Sequence, residues 1–264
     1  MSDGEAIHVT LNPDGVGRPG LLAARDVSEI VRFAFNAMEQ SDLSTPPPIA
    51  GGAISYDMGS GPESAEERRR LYENWILSKG FTELARGIRE TLEEAYRYTR
   101  IVELLQRPTT VDELVSEVAR TRRWAQREPF PALIAAVSAA LTEPLSFSSE
   151  FESLQKVRNC LEHRAGVVGA QDIDRSGSLV LSLPRLRLFY YRETEEVELE
   201  VGARIETGDD REHVEVFAGR VARERAYAVG ERVTFSADDF HEIAFSCHLF
   251  VYDLVSKLPR LRAH

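Results

Sequence analysis

The chain has 264 residues, 43% apolar and 28% charged, with a formal net charge of −11. That is ordinary for a globular protein with ample length for a sizeable core, in one large domain or two small ones. No run of eighteen apolar residues is present, so no segment reads as a membrane-spanning helix. The acidic balance argues against broad binding of long nucleic acid, which draws its affinity from phosphate neutralisation, so any RNA contact must be local.

The start, Met1-Ser2-Asp3-Gly4-Glu5, lacks the basic residues and apolar stretch of a leader peptide. Cys160 and Cys247 both fall in helical apolar patterns, which predicts buried thiols in a reduced, cytoplasmic protein. Only Lys79, Lys156 and Lys257 among the 32 basic residues are lysine. GC-rich coding explains that bias as readily as phosphate binding does.

Residues 1 to 20 carry Gly, Pro and Asp without periodicity and predict a flexible arm or irregular strand. Leu21 to Gln40 predicts a helix with Leu22, Ile30, Phe33 and Ala37 near one stripe. Ser41 to Ser64, with Pro46-Pro47-Pro48, Gly51-Gly52 and Gly61-Pro62, reads as an exposed connector. Ala65 to Arg107 predicts a long helix on Leu71, Trp75, Phe81, Leu84, Ile88, Leu92 and Val102, with Gly80 as a kink. Thr110 and Glu113 form a capping box for a helix to about Gln126, and Pro129 and Pro131 open a short apolar helix from Ala132 to Leu141. Ser149 and Glu152 form a second box at the head of another helix, which Gly166 ends.

From Ser178 the apolar period changes from about 3.6 to 2. Leu179, Leu181 and Leu183 alternate, as do Leu186 and Leu188, Val197, Leu199 and Val201, and Val214 and Val216. Turns at Gly202, Gly208, Gly219 and Gly230 divide these into antiparallel strands ending near Phe235. Ser236 and Asp239 then cap a last helix bearing Phe240, Ile243, Ala244, Cys247, Phe250, Val251 and Leu254, stopped by Pro259.

The helix of residues 149 to 166 holds the densest chemistry: Arg158, Asn159, Glu162, His163 and Arg164. An imidazole that moves protons beside a guanidinium that neutralises phosphate oxygens suits metal-free phosphodiester cleavage. At about 100° per residue, Glu152, Lys156, Asn159 and His163 share one polar stripe, opposite Leu154, Val157 and Leu161. Arg158 lies about 120° from the stripe, so Arg158 and His163 diverge on an ideal helix. The simplest alternative makes the stripe a solvated face, with Arg158 paired to Glu162 one turn on.

Arg158-Asn159 followed by Cys160-Leu161-Glu162 and His163 resembles the signature of the HEPN superfamily, an Arg, often followed by a polar residue, and a His after four to six intervening residues, here four. The resemblance covers about eighteen residues and implies an endoribonuclease with Arg158, Asn159 and His163 as its catalytic group. It implies that no metal or cofactor is needed: His163 acts as general base or acid, Arg158 stabilises the phosphorane and Asn159 orients. Lys156, Glu162 and Arg164, beside and between the trio, are the expected substrate-binding residues, and single-stranded or loop RNA is the implied substrate. HEPN nucleases generally build the site at a dimer interface, which implies a homodimer through this helix. An antitoxin or phage-defence partner is the implied setting, and a non-catalytic scaffold binding a protein or a nucleotide is the alternative.

His241 and His248 share one face of the last helix, but no second ligand pair with metal spacing accompanies them. The alternating Glu196, Glu198 and Glu200 read as an exposed strand face. The expected fold is α+β, mainly α: a HEPN-like helical bundle over residues 65–264 with a small antiparallel β insertion at about 178–235, before the last helix. Residues 1–64 form an N-terminal arm, a short helix and the connector.

Overall fold

Residues 10–46, 61–199 and 214–261 are described in a computed structural model. In chain order the elements are α1 (Pro13–Gln40), α2 (Ala65–Leu104), α3 (Val111–Arg127), α4 (Phe130–Ala140), α5 (Ser148–His163), β1 (Ser178–Arg192), β2 (Glu195–Leu199), β3 (Val216–Ala228) and α6 (Ala237–Ser256). The protein is α+β and mainly α, with a three-stranded antiparallel sheet before its last helix. No helix among the described residues is long and apolar enough to cross a membrane.

The glycine-rich start, expected as an arm, is helical from Pro13. Asn12 caps it, its side chain accepting the N–H groups of Asp14 and Gly15. Pro13 takes the first helical position, where a missing N–H costs nothing. The glycines serve close helix packing: a Cβ on Gly20 would lie 2.6 Å from Val251 Cγ2, and one on Gly87 would lie 2.4 Å from the Ala23 Cβ. The Gly20 N–H also donates to Thr91 Oγ1 at 2.9 Å. Val16, Ala24, Val27 and Val31 thereby join the same core as Phe81, Leu154 and Phe240, so the expected division at residue 64 does not set α1 apart. Residues 1–9 and 47–60, the rest of the expected arm and connector, lie outside the described residues.

Two expected stripes reach the core only in part: on α2 Phe81, Leu84, Ile88, Leu92 and Val102 are buried as the sequence predicts, while Leu71 and Trp75 are exposed. Ile30 and Phe33 are 63% and 75% exposed, while Val27 and Val31 are buried. On α2 the buried row runs through Leu77, Phe81, Leu84, Ile88 and Leu92, and at about 100° per residue this leaves Leu71 and Trp75 on the far side. Gly80 makes no break in α2; it admits the Phe240 ring, whose Cζ would lie 2.6 Å from an added Cβ. The capping boxes of α3 and α6 form as the sequence predicts. That of α5 does not, because α5 starts at Ser148, after Phe147 in a left-handed conformation, and Ser149 bonds Glu150 instead.

β1 pairs with β3 from Ser178↔Ala228 to Tyr190↔Val216 without a break. Gly219, expected in a turn, is paired with Arg187 in mid-strand. The β1–β2 turn falls at Glu193 and Thr194, with Glu193 at φ 56° and neither Gly nor Pro to announce it. Because β1 is continuous, Leu186 and Leu188 face opposite to Leu179, Leu181 and Leu183. The latter three are buried and the former two are exposed. Residues 200–213, including the expected turns at Gly202 and Gly208, lie outside the described residues.

The edge of β1 away from β3 is stapled to helices. Ser153 Oγ on α5 accepts the Ser182 N–H at 2.9 Å and lies 2.8 Å from the Ser182 carbonyl oxygen. On α6, Ser246 Oγ donates to the carbonyl of Pro184. This fixes α5, and with it the polar stripe, against sheet and bundle together.

Candidate functional site

α5 is held by its apolar side. Phe151, Leu154, Val157, Cys160 and Leu161 are all buried, and Phe151 packs on Phe250 with ring centroids 4.0 Å apart. Its head is tied to α6, where the Ser146 N–H donates to Asp253 at 2.9 Å. Its tail ends in two left-handed residues, Ala165 and Gly166, with the Gly166 N–H returned to the Cys160 carbonyl at 3.2 Å. The opposite face stays open: Lys156, Asn159 and His163 are exposed, with the His163 side chain 61% accessible.

Arg158 and His163 diverge on an ideal helix, yet they meet at Glu162. Arg158 Nη2 lies 2.6 Å from Glu162 Oε2, and His163 Nε2 lies 3.9 Å from the same oxygen. Arg158 Nη1 also donates to Asn159 Oδ1 at 3.2 Å. The structure therefore brings Arg158 and His163 to the one Glu162 carboxylate, with Asn159 joined to it through Arg158. The long arginine stem supplies the reach that Cβ directions alone deny. A second copy facing α5 is not needed to bring the Arg–His pair to one anion.

The flanking residues divide. Lys156 is exposed; hydrogen bonds from the Ser176 hydroxyl and N–H hold the Asp174 carboxyl below the usual range, and the Lys156 charge adds a smaller push the same way. Arg164 does not join the site. Its Nε donates to Asp172 Oδ2 at 2.6 Å, a second bond runs from Nη2 to Oδ1, and the Asp172 side chain is only 4% exposed. Asp172 in turn accepts the Gly169 N–H at 2.9 Å. Arg164 thus ties the loop after α5 through Nε and Nη2, which turns that edge of its guanidinium away from Arg158 and His163 and onto Asp172. The sequence carries no signal for that pair, since its partners sit eight residues apart across an irregular loop.

Other chemistry-bearing groups are engaged elsewhere. A recess between β1, β3 and α6 is lined by Leu181, Leu183, Arg223, Arg225, Asp239 and Glu242, among others. Its arginines are spent on acids, Arg223 on Glu242 and Arg225 on Asp239. Burial pushes the Asp239 carboxyl up, but hydrogen bonds from Arg225 and from Ser236 outweigh it and hold the group below the usual carboxylate range. Glu196 and Glu198 pair across the sheet with Arg185 and Arg187. Cys160 and Cys247 are free and buried, and burial pushes the Cys247 thiol up to about 12, where it is inert as a nucleophile.

His241 Nδ1 is hydrogen-bonded to Ser28 Oγ at 2.5 Å. His248 lies between Phe245 and Tyr252, with ring centroids 5.8 and 4.8 Å away. Among the described residues no group of three or more His, Cys, Asp or Glu is placed to hold a metal ion.

Compared with known proteins, the chain matches no family model, no curated protein and no solved structure. The residues of α5 and their geometry are therefore what a functional reading rests on.

Proposed function

We propose that this chain is a metal-independent endoribonuclease that cleaves single-stranded or loop RNA at the polar face of α5. The observation that carries the reading is the convergence of Arg158 and His163 on one Glu162 oxygen. A phosphate taking the place of that carboxylate comes within reach of a guanidinium and an imidazole at once. The acidic net charge of −11 suits a local grip on one or two phosphates rather than a long basic track.

In this mechanism His163 accepts the proton of the RNA 2′-hydroxyl, and the 2′-oxygen attacks the adjacent phosphorus. The bond from phosphorus to the 5′-oxygen breaks, and water returns a proton to that oxygen. Arg158 neutralises the non-bridging oxygens as charge grows on them, and Asn159 orients the guanidinium or a phosphate oxygen. Lys156, one turn before the trio, meets a neighbouring phosphate. The products are a 2′,3′-cyclic phosphate and a 5′-hydroxyl. Glu162 holds Arg158 and His163 in place until RNA displaces it.

A second reading follows from the same ion pair. Arg158 already has Glu162 and Asn159 as partners, and α5 presents an open surface, which also suits a scaffold that docks a partner protein such as an antitoxin. Incubating the chain with single-stranded RNA in EDTA and analysing the product ends separates the two. Cyclic phosphate ends support the nuclease; intact RNA favours the scaffold.

A further inference from the structure

Among the described residues the outer edge of β3 is an unpaired row of backbone hydrogen-bonding groups, and its sequence is complementary to itself. In the order β2-β1-β3 the last strand is an edge, and no other described strand pairs with it. The helices lie on the other side: Ser153 and Ser246 bond the far edge of β1 at Ser182 and Pro184. Those bonds also fix which backbone groups of β3 are free. Ser182 and Pro184 turn their N–H and C=O groups, as far as each has them, away from β3. In an antiparallel ladder the residues opposite them, Glu224 and Ala222, must then turn theirs away from β1. The same holds for Arg220, Ala218 and Ala226, two and four residues along. The Ala228 N–H already donates to Glu231 at 2.8 Å, so the open run ends at Ala226.

A strand of this length without proline is a template for another strand unless something guards it. Arg223 and Arg225 are no guard, because both are drawn to acids on α6. On the opposite face the alternate residues are Ala218, Arg220, Ala222, Glu224 and Ala226, all exposed. Two antiparallel copies related by a two-fold axis through Ala222 place Arg220 opposite Glu224 twice, with only alanines on either side. Every residue so paired is one whose N–H and C=O point outward. Moving the axis one residue either way loses both charge pairs, and an axis through Arg223 sets that arginine against itself. Arg220 has a loose internal neighbour, Asp253 at 3.6 Å, and Glu224 has no ion-pair partner among the described residues.

We propose that two copies of this chain pair antiparallel along β3, about a two-fold axis at Ala222, into one sheet ordered β2-β1-β3-β3-β1-β2. This interface lies along β3, whereas α5 packs on β1 and α2, and it stands whether or not RNA is the substrate.

The test is sedimentation equilibrium of the full chain at micromolar concentration, with circular dichroism to verify folding of each variant. Wild type sediments as a dimer. Arg220→Glu alone sets two pairs of glutamates against each other, and Glu224→Arg alone sets two pairs of arginines. Each single variant dissociates at least about tenfold more readily. An equimolar mixture of the two single variants restores both attractive pairs and forms a mixed dimer. The double variant carrying both changes dimerises with itself. A monomeric wild type overturns the proposal, as does a dimer indifferent to either charge reversal, or a mixture of folded single variants that stays monomeric.

Discussion

Arg158 and Glu162 form an i,i+4 ion pair on the last turns of α5, with Nη2 of the one 2.6 Å from Oε2 of the other. With side chains about 30% exposed on both partners, the pair contributes little to stability, on the order of 0.5 kcal/mol. Its importance is positional, since it turns the guanidinium toward His163. In the proposed nuclease, its carboxylate is the group that an RNA phosphate would displace.

Replacing Glu162 with Gln removes the competing charge and keeps the side-chain length. RNA affinity should rise several-fold in filter binding to an uncleavable 2′-deoxy oligonucleotide, with melting temperature nearly unchanged. Weaker binding by Glu162→Gln would show that the carboxylate serves the substrate rather than standing in for it.

Arg164→Ala should destabilise the fold. Asp172 would be left buried without its counter-charge, which costs about 3–5 kcal/mol when a buried pair loses one partner. Thermal melting would show a clear drop. An unchanged melting temperature with lost RNA binding would instead return Arg164 to the substrate site.

Gly20→Ala should also lower the melting temperature. The added Cβ would meet Val251 Cγ2 at 2.6 Å and Thr91 Oγ1 at 2.8 Å, and such overpacking costs about 1–3 kcal/mol. An alanine at that position with wild-type stability would mean that α1 and α2 can part without penalty.

Much of the fold is legible in the sequence where one local rule decides. The Thr110–Glu113 and Ser236–Asp239 boxes place α3 and α6, and the change of period at Ser178 places the sheet. What escapes is set by contacts distant in sequence. Gly17 and Gly20 look like loop residues until Val251 and Thr91 are seen pressing on them. Ile30 and Trp75 look like core residues because apolar character alone does not say which side of a helix meets its neighbour. Within the site, the Arg158–Glu162 spacing is readable, but its closure onto His163 depends on side-chain reach. The Arg164–Asp172 pair has no sequence signature at all.

Asp239 links stability to pH. Its folded carboxyl titrates below the unfolded value, so its contribution is complete above about pH 4, the ordinary range for Asp, and is lost as pH falls through the lowered folded value. Asp239→Asn should be less stable than wild type at neutral pH, by about 1–3 kcal/mol. The gap should narrow in strong acid. Melting curves of both proteins from pH 7 to pH 2.5 check this, and a gap that widened in acid would reverse the assignment.

His163→Ala compares the nuclease and scaffold readings most directly. The side chain is 61% exposed, so its loss should change stability by under about 0.5 kcal/mol, while loss of a general base lowers the rate about 10²- to 10⁴-fold. The measurement is the single-turnover cleavage rate of a single-stranded RNA in EDTA by wild type and by His163→Ala, with matched melting temperatures. A general base at His163 gives cleavage by wild type to cyclic phosphate ends, reduced at least about 10²-fold in the variant. Equal rates in the two proteins, or cleavage by neither, would contradict it.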